Sequence, residues 1–494
     1  GDRGMNRQIV WTIAGSDPGG GAGIQADLKT MNSLGVHGCA VIAALTAQNT
    51  TRVSRIEIPS PDMVRDQIRE LKDDLPPAAI KIGMLGSQEN ISLISNELNS
   101  IHSFILYDPV MISTSGEALF PLEAIQTLKQ QLFPHVDLLT PNIREAGLIL
   151  GRSISSSADV ESAAKAILKF GVKSVLIKGG DREGEFAQDF WTGGRSQWWF
   201  TSPKIKTKNT HGTGCTFSSA IVSAIALGFE LLNAIVIAKA YVNQGLRTNQ
   251  NLGHGVGPLN HGGWPETQED LPWLTHTDES GRERTEFPCS ESLGFYPIVD
   301  SFEWLKRLLP QGVKAVQLRI KNLQGRSLED EIKKSIEYAR QFNCRLFIND
   351  YWGLALEYGA YGVHLGQEDI EKADLKTLAA SNIRLGISTH SYAEVARAHA
   401  IRPSYMAIGP IFPTTSKPMR FQPQGLEALA RWRRTLRYPL VAIGGISLER
   451  ASDVLRAGAD SIAVITAVTN SENPEEETRK WLKLFPREIV SLHS

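Results

Sequence analysis

The chain has few cysteines, almost no net charge and no long uninterrupted hydrophobic segment, and each absence excludes a class of protein. Four cysteines in 494 residues, with no C-x-x-C pair, argue against a disulfide framework or a zinc cage and favour a reducing cytoplasm. A formal net charge of -1 gives no basic field that would attract nucleic acid or a membrane surface. The most hydrophobic stretch, 217–242, contains Glu230 and Lys239, and it therefore predicts two buried helices, not a membrane span.

Length and composition predict more than one domain. With 494 residues, 42% of them hydrophobic and 21% charged, the chain is expected to form two or three globular domains. The stretch 265–292 combines prolines and charged residues with little apolar periodicity, which is typical of a linker. We expect at most one docked turn in it, at Trp273-Leu274. The predicted domains are therefore 5–264 and 293–494.

The first half of the chain alternates short apolar segments with amphipathic ones. Such alternation of strands and helices implies a mostly parallel sheet with helices on both faces. Ligands bind such sheets at the carboxyl ends of the strands, so polar residues that follow strands are candidates for a site. The predicted strands are 9–14, 39–47, 79–84, 104–107, 138–139 and 175–177.

The stretch N-T-H-G-T-G-C-T, 209–216, is predicted to be a loop that opens a helix. Gly212 and Gly214 allow the backbone to turn its N–H groups toward a common point. A helix N-terminus adds partial positive charge, so the loop can hold a phosphate. Cys215 is expected in the first turn, where the helix dipole lowers the pKa of a thiol. Taken alone, the motif is more typical of an ordinary helix start with a small buried cysteine.

A second glycine-rich loop follows the first strand, within T-I-A-G-S-D-P-G-G-G-A-G-I-Q-A-D-L-K-T, 12–30. It does not fit G-x-G-x-x-G cleanly, and the chain contains no Walker A motif, which disfavours a dinucleotide site or a P-loop. Together with 209–216, this stretch resembles the hydroxymethylpyrimidine (phosphate) kinases, a branch of the ribokinase-like kinases. In that branch a cysteine occupies the position where most ribokinase-like enzymes have an aspartate base, and here that residue is Cys215.

The resemblance covers roughly 7–264 and implies a ribokinase-like three-layer α/β/α domain. It implies that ATP phosphorylates a pyrimidine alcohol and then its monophosphate. Cys215 would take the hydroxyl proton, while the amides around Gly212 and Gly214 stabilise the transferred phosphoryl group. Considered singly, each implied contact residue is more often a helix cap or a solvated side chain. The implied substrate contacts are Asp17, Gly21, Gln48, Met84 and Val110, and the implied ATP and Mg²⁺ residues are Asn142, Glu145 and Lys178.

The second half has a more regular pattern. Eight short apolar strands, each followed by a helical segment, fit within about two hundred residues. This pattern predicts a (β/α)₈ TIM barrel, whose chemistry lies at the carboxyl ends of the strands. The predicted strands are 296–299, 315–318, 346–348, 362–365, 385–387, 405–408, 440–443 and 461–465.

Polar residues follow nearly all of these strands. Arg319, Lys321 and Lys417 would bring three cations to one mouth, and Asp350 and Asp369 would bring two carboxylates. This combination indicates a polyphosphate held jointly by cations and Mg²⁺. The glycine pair after the seventh strand matches the usual phosphate site of the barrel. Any one of these residues alone is better explained as a surface ion pair or a loop cap, but together they predict a site for a diphosphate and a monophosphate.

Six motifs in this half, Q-L-R-I-K, F-I-N-D-Y-W, G-V-H-L-G-Q-E-D, G-I-S-T-H, F-P-T-T-S-K and A-I-G-G-I, resemble thiamine phosphate synthase. The family joins a hydroxymethylpyrimidine diphosphate to a thiazole phosphate and releases pyrophosphate. The resemblance implies that Asp350 and Asp369 bind Mg²⁺. Ser416 stands where the family usually has threonine. The residues implied for the pyrimidine diphosphate are Gln317, Leu318, Arg319, Ile320, Lys321, Asn349, Ser388 and Lys417; those for the thiazole phosphate are Thr414, Thr415, Ser416, Gly445, Ile465 and Thr466.

The two resemblances predict a bifunctional enzyme in which the kinase makes the diphosphate that the barrel consumes. Two alternatives stay open at this point. The barrel could be a thiazole tautomerase, although a tautomerase has no diphosphate to hold, or one half could be an inactive ligand sensor. The expected partners are small molecules, with ATP as cosubstrate, and not nucleic acid or membranes. A homo-oligomer and a side activity on pyridoxal-like substrates are not decided by the sequence.

Overall fold

The computed structural model describes residues 6–113, 116, 118–180, 182–279, 284–414 and 421–486. The chain divides into two compact units, Gly1–Arg282 and Glu283–Ser494. Three predicted site residues, Thr415, Ser416 and Lys417, lie outside the described residues. Within the described ranges, none of the helices has the length and apolar character that crossing a bilayer requires.

The first unit is built on one sheet, for which the described residues supply ten strands and eight α-helices. The strands are β1 Ile9–Ser16, β2 His37–Gln48, β3 Val53–Glu57, β4 Ala79–Ile82, β5 Phe104–Tyr107, β6 Leu138–Leu139, β7 Val175–Lys178, β8 Phe186–Thr192, β9 Gln197–Pro203 and β10 Trp273–Thr275. The α-helices are α1 Gly23–Ser33, α2 Pro61–Asp74, α3 Gln88–Leu98, α4 Ile125–Thr127, α5 Ile143–Leu150, α6 Ser157–Leu168, α7 Thr213–Ala226 and α8 Leu231–Arg247.

The sheet is parallel at its centre and antiparallel at both edges, in the order β10-β9-β8-β7-β6-β5-β4-β1-β2-β3. All residues of β4 are buried, as expected for a parallel strand that is covered on both faces. The sequence predicted the parallel strands and missed the antiparallel strands β3, β8, β9 and β10. Of the missed strands, β8, β9 and β10 mix polar residues with aromatic ones, and β3 is short and mostly polar, so no clean alternation marks them.

Two layers of helices cover the sheet. On one face, Trp11 and Ile13 of β1 join an apolar cluster with Val64 of α2, Ile94 of α3 and Ala163 of α6. On the other face, α1, α7 and α8 pack together, and α7 also contacts β1, β4 and β5. The predicted three-layer α/β/α architecture is therefore confirmed.

The predicted linker, 265–292, contains regular structure that the sequence did not predict. Trp273 and Leu274, expected in a docked turn, lie in β10 and pair with β9. They form a strand because the edge of the sheet offers unpaired backbone groups. On the barrel side, Arg284 Nη2 donates a hydrogen bond to the carbonyl oxygen of His399 at 2.6 Å. The described parts of this stretch are therefore attached at both ends.

The second unit is a closed barrel of eight parallel strands, as predicted. Its described residues also form nine α-helices. The strands are β11 Phe295–Val299, β12 Ala315–Leu318, β13 Arg345–Asn349, β14 Gly362–Leu365, β15 Arg384–Thr389, β16 Tyr405–Ile408, β17 Leu440–Ile443 and β18 Ser461–Val464. The helices are α9 Phe302–Leu308, α10 Gly325–Gln341, α11 Trp352–Tyr358, α12 Leu375–Ala380, α13 Tyr392–Ile401, α14 Gly425–Thr435, α15 Leu448–Arg456, α16 Thr466–Thr469 and α17 Pro474–Lys483.

The barrel interior is a mixed core of aromatic, aliphatic and polar side chains. Tyr296, Phe347 and Tyr405 contact one another with ring centroids 5.2–5.8 Å apart. The buried polar residues Gln317 and His364 lie among them. Because all eight strands run parallel, their carboxyl ends meet at one mouth and bring the predicted site residues to it.

Candidate active sites

The first unit contains a cavity of about 680 Å³ at the carboxyl end of its parallel strands. Ten of the eleven residues predicted for the kinase half line this cavity. They are Asp17, Gln48, Met84, Val110, Asn142, Glu145, Lys178, Gly212, Gly214 and Cys215.

Gly21, the eleventh, supports the cavity wall instead of lining it. Its carbonyl oxygen lies so close to Gly212 that a Cβ atom on Gly212 would be 1.8 Å away. Gly212 also has a φ of 82°, in the left-handed region that glycine adopts readily, and it directly precedes the first residue of α7. The two glycine-rich loops therefore pack backbone against backbone, which requires glycine at position 212.

Asp17 and His211 join the same two loops through their side chains. The Asp17 carboxylate accepts hydrogen bonds from the backbone N–H groups of Gly19, Gly21 and Ala22, at 2.9–3.0 Å. His211 Nε2 lies 3.0 Å from Asp17 Oδ2. Burial alone would raise the pKa of Asp17, but the hydrogen bonds from His211 and the backbone hold the pKa below its usual value. Asp17 is therefore ionised, and its carboxylate links the two loops.

A buried charge cluster lies beneath the loop that opens α7. Lys178 Nζ is 3.0 Å from Asp108 Oδ1, and a Cβ on Gly214 would lie 3.1 Å from Lys178 Nζ. Burial lowers the pKa of Lys178, but the carboxylates of Asp108 and Glu145 outweigh this effect and raise it above the usual value. Lys178 therefore stays charged at the place where an anion bound by the α7 loop would lie.

Asn142 and Glu145 form the capping box that begins α5. Glu145 N donates to Asn142 Oδ1 at 2.7 Å, and Asn142 N donates to Glu145 Oε1 at 3.0 Å. Glu145 Oε2 accepts a hydrogen bond from Met111 N at 3.1 Å. Burial raises the pKa of Glu145 to about 7, against the opposing effect of Lys178. The pair is both a helix cap and part of the cavity wall.

Cys215 lies in the first turn of α7, as predicted, but the expected fall in its pKa is wrong. Burial raises the pKa of the Cys215 thiol, although the nearby Lys81 ammonium opposes this effect. Lys81 is itself fully buried and pairs with Asp27 Oδ2 at 2.8 Å. A sequence can indicate that a cysteine lies at the start of a helix, where the dipole lowers its pKa. It does not show the burial of the thiol, which outweighs the dipole here.

At the barrel mouth, Asp350 and Asp369 lie within hydrogen-bonding distance of each other. Asp350 has a φ of 69°, an uncommon backbone conformation that is enriched at functional sites. Partial burial and the neighbouring Asp369 raise the pKa of Asp350 to about 6, against the opposing charge of Arg319. Two adjacent carboxylates that face an arginine form a natural site for a divalent cation.

The Q-L-R-I-K motif supplies both interior and exterior side chains. Gln317 is 3% exposed and donates a hydrogen bond to Tyr296 inside the barrel. Because strand side chains alternate, Leu318 points toward the helical layer, and Leu318 and Ile320 are both buried. These two aliphatic side chains are therefore poorly placed to contact a charged ligand, so only their backbone groups remain candidates.

The glycine pair after β17 packs against the loop after β16. Gly444 and Gly445 both have positive φ angles, 105° and 66°, and a Cβ on Gly445 would lie 2.6 Å from the Pro413 carbonyl oxygen. The next strand, β18, leads through Ile465 into the short helix α16, which begins at Thr466. Loops after the seventh and eighth strands and a short extra helix are the usual parts of a TIM-barrel phosphate site.

Comparisons with known proteins agree with both halves of this geometry. A family model described as phosphomethylpyrimidine kinase matches residues 17–260, and one described as thiamine monophosphate synthase matches residues 295–468. A "Probable thiamine biosynthetic bifunctional enzyme, chloroplastic" from Oryza sativa subsp. japonica is 32% identical over 97% of this chain and 90% of its own. The chain belongs to the bifunctional thiamine biosynthetic enzymes. A second relative, from Arabidopsis thaliana, is 33% identical over 96% of this chain and 92% of its own.

The fold of the kinase half has a close parallel among solved structures. The pyridoxal kinase from Staphylococcus aureus in complex with AMP-PCP has a TM-score of 0.51 and 28% identity, and the match covers 55% of this chain and 100% of that one. The ribokinase-like fold is thereby confirmed. As a bifunctional thiamine biosynthetic enzyme, the chain carries a phosphomethylpyrimidine kinase, which uses ATP as cosubstrate, and a thiamine phosphate synthase.

One prominent residue of the kinase cavity was not among the predicted site residues. Asp108 directly follows β5, is 2% exposed, and lies between Lys178 and the hydroxyl of Ser218. Its position after a strand was visible in the sequence. Its role as the partner of Lys178 was not, because the two residues lie seventy positions apart and meet only in the folded sheet.

Proposed function

We propose that the cavity of the first unit is the kinase site and that the barrel mouth is the synthase site. The first assignment is supported by the α7 loop, whose Gly214 lies beside Lys178 in the cavity wall. The second is carried by the contact between Asp350 and Asp369 opposite Arg319. The first arrangement provides positive charge where a phosphate group would be held, and the second provides two carboxylates that would hold a divalent cation next to Arg319.

In the kinase site, catalysis would depend on positioning and charge. The amides from Gly212 to Cys215 and the Lys178 ammonium are proposed to stabilise the charge on the transferred phosphoryl group. Gln48 lines the same cavity and would hydrogen-bond the aminopyrimidine. Asn142 and Glu145 already accept backbone hydrogen bonds, so we propose that they act on Mg²⁺ through water and not as direct ligands.

Cys215 is proposed as the base that accepts the proton of the substrate hydroxyl. We expect Cys215→Ala to abolish kinase turnover while ATP still binds, and Cys289→Ala, which changes an exposed cysteine, to have no effect. Because burial raises the pKa of Cys215 and only the thiolate accepts a proton, the wild-type rate should also rise with pH above neutrality. Steady-state kinetics and ATP titration across pH measure both effects. Near-normal turnover in Cys215→Ala would remove the base role and leave the anion-binding loop.

The residues at the barrel mouth fit a magnesium ion. Among the described residues, no set of three or more histidine, cysteine, aspartate or glutamate side chains comes together as a metal cage. Mg²⁺ commonly takes only one or two carboxylates and completes its shell with water and substrate phosphates. We propose that Asp350 and Asp369 supply those two carboxylates. Bound there, Mg²⁺ would act as a Lewis acid that stabilises the charge on departing pyrophosphate.

The chain's own groups would do the remaining work of the synthase reaction. Arg319 and Lys321 would hold the diphosphate and, with Lys417, balance its charge as it leaves. Asn349 and Ser388 would position the pyrimidine. Thr414, Thr415, Ser416, Ile465 and Thr466, with the Gly445 backbone, are proposed to hold the thiazole phosphate, so that the thiazole nitrogen faces the pyrimidine methylene carbon. No side-chain nucleophile is required.

A coupled assay tests the proposed metal dependence. With pyrimidine alcohol, ATP, thiazole phosphate and Mg²⁺, the protein should form thiamine phosphate. When the pyrimidine diphosphate is supplied directly, addition of EDTA should stop the barrel reaction and excess Mg²⁺ should restore it. Inorganic pyrophosphate release, measured without ATP, isolates the barrel from the kinase. Full activity in EDTA would refute the role assigned to Asp350 and Asp369.

We also propose a reducing compartment, such as the cytoplasm, as the place of action. All four cysteines are free, and Cys39 and Cys344 are buried. Unpaired thiols are typical of proteins in reducing surroundings. The two plant relatives carry the word "chloroplastic" in their names, so the proposal concerns the redox state of the compartment more than its name.

A further inference from the structure

Five side chains form a continuous hydrogen-bonded chain through the barrel interior, which we call the interior network. Gln317 Nε2 donates to Tyr296 Oη at 3.2 Å, and Tyr296 Oη lies 2.8 Å from Tyr405 Oη. Tyr405 Oη lies 2.6 Å from His364 Nδ1, and His364 Nε2 lies 2.7 Å from Ser388 Oγ. The network thus begins and ends at residues of the proposed pyrimidine site.

The three middle members are buried and have no other assigned role. Tyr296, Tyr405 and His364 are 1%, 0% and 6% exposed. Buried polar groups are costly unless every one is paired, and phenylalanine would fill the same space without that demand. The polar atoms of these three side chains therefore need an explanation beyond packing.

The network can adopt only two consistent orders of donors and acceptors. Each tyrosine hydroxyl carries one proton, and a neutral histidine carries one N–H group. In one order every proton points from Gln317 toward Ser388: Tyr296 donates to Tyr405, Tyr405 donates to His364 Nδ1, and His364 Nε2–H donates to Ser388. In the other order every proton points back, and the proton of Tyr296 then requires an acceptor at Gln317.

The orientation of the Gln317 amide selects the first order. Because its Nε2 donates to Tyr296, the Tyr296 oxygen accepts there and its own proton goes to Tyr405. This order leaves Gln317 Oε1, an acceptor, as the amide atom that the network does not use. At the other end, Ser388 Oγ accepts from His364 and keeps its own proton for a ligand. The two ends therefore present one acceptor and one donor of fixed polarity.

We propose that the interior network determines the pyrimidine specificity of the synthase, with Tyr296, Tyr405 and His364 as positioning residues. By fixing Gln317 as an acceptor, the network would select a ring that carries an exocyclic amino group and reject one that carries an oxo group at that position. An oxo ligand would place two acceptors face to face and leave both unpaired. The inference rests on the proposed placement of the pyrimidine at Gln317 and Ser388.

The test compares two substrates in matched tyrosine variants. The kcat/KM is measured for the aminopyrimidine diphosphate and for its oxo analogue, each with thiazole phosphate. Tyr405→Phe and Tyr296→Phe each remove a hydroxyl from the network. The side-chain amide of Gln317 can then rotate so that Oε1 and Nε2 exchange positions. The preference for the amino substrate should fall by about tenfold or more, mainly through KM. Tyr361→Phe, which removes a hydroxyl from a ring that packs against Phe347, should leave the preference unchanged.

Nitrogen NMR of labelled histidine provides a readout independent of activity. His364, identified by the loss of its signals in His364→Gln, should be the neutral Nε2–H tautomer in the wild type. In Tyr405→Phe it should lose that single tautomer. An Nδ1–H tautomer in the wild type, or an unchanged substrate preference in both tyrosine variants, overturns the inference.

Failure of the site assignment has a different signature. Gln317→Ala should lower kcat/KM for the amino substrate. If Gln317→Ala lowers kcat/KM while both tyrosine variants keep the wild-type preference, the placement of the pyrimidine is supported and the role of the interior network in specificity is refuted. If Gln317→Ala does not change kcat/KM for the amino substrate, the placement of the pyrimidine at Gln317 is refuted, and so is the inference that rests on it.

Discussion

Replacing Gly212 with alanine should abolish the kinase reaction and leave the synthase reaction intact. The new Cβ would lie 1.8 Å from the Gly21 carbonyl oxygen, at a backbone φ of 82°. Relief requires the two glycine-rich loops to separate, which moves the amides at the start of α7 away from Lys178. Losing one donor from such an anion site typically costs about 10²–10³ in rate, and here the whole loop moves. Phosphorylation of the pyrimidine alcohol measures the first effect, and pyrophosphate release from supplied diphosphate measures the second.

The opposite end of the same helix supplies a control for Gly212→Ala. Gly228 has a φ of 99°, but nothing lies within 4 Å of the position that its Cβ would take. Gly228→Ala therefore carries the backbone strain of a positive φ without the clash. We expect this variant to keep its kinase activity at a modest cost in stability. Kinase activity in Gly212→Ala within about twofold of the wild type would show that the loops are not coupled as described.

The barrel was well predicted because its signals are local. Each strand is a short apolar run between polar helical segments, and parallel topology then places every strand end at one mouth. Asp350 and Asp369 are separated along the chain by the whole of β14, yet this reasoning predicted them together, and the structure brings them into contact. The residue types at strand ends and the topology were sufficient to predict that these two side chains lie together; their role as metal ligands stays a proposal.

Features that depend on distant partners were not predictable in the same way. The raised pKa of Cys215 results from burial in the folded protein, and the ion pair of Asp108 with Lys178 joins residues at the ends of two strands far apart in the chain. The interior network was also missed. Tyr296 and Tyr405 lie within apolar strands, and their sequence context indicates packing and not hydrogen bonding.

Asp350→Asn should abolish the synthase reaction and at the same time stabilise the barrel in the absence of metal. The change removes a carboxylate proposed to hold Mg²⁺, so pyrophosphate release should fall by about 10²-fold or more. It also replaces a contact between two carboxylates with an amide that can donate to Asp369. Asp369→Asn should lose turnover in the same way, with much less effect on thiazole phosphate binding. Kinetics, ligand titration and calorimetry of the metal-free protein measure the three effects.

The gain in stability should depend on pH in a direction set by the raised pKa of Asp350. Folding raises this pKa from 3.8 to about 6, so the ionised form destabilises the folded state, and the penalty grows as pH rises from about 4 through 6. Asp350→Asn should therefore raise the unfolding temperature most at about pH 7.5 and scarcely at all at about pH 4.

Asp330→Asn, which removes an exposed carboxylate from α10, should change neither synthase turnover nor the pH dependence of stability. In all of these variants the kinase reaction serves as an internal control, because its proposed site lies in the other unit. Mg²⁺ should raise the unfolding temperature of the wild-type barrel more than that of Asp350→Asn, because a ligand stabilises only the state that binds it. Two results would contradict the proposal that Asp350 and Asp369 repel each other until they bind a cation. One is equal stabilisation of both proteins by Mg²⁺, and the other is a lower unfolding temperature for metal-free Asp350→Asn than for the metal-free wild type.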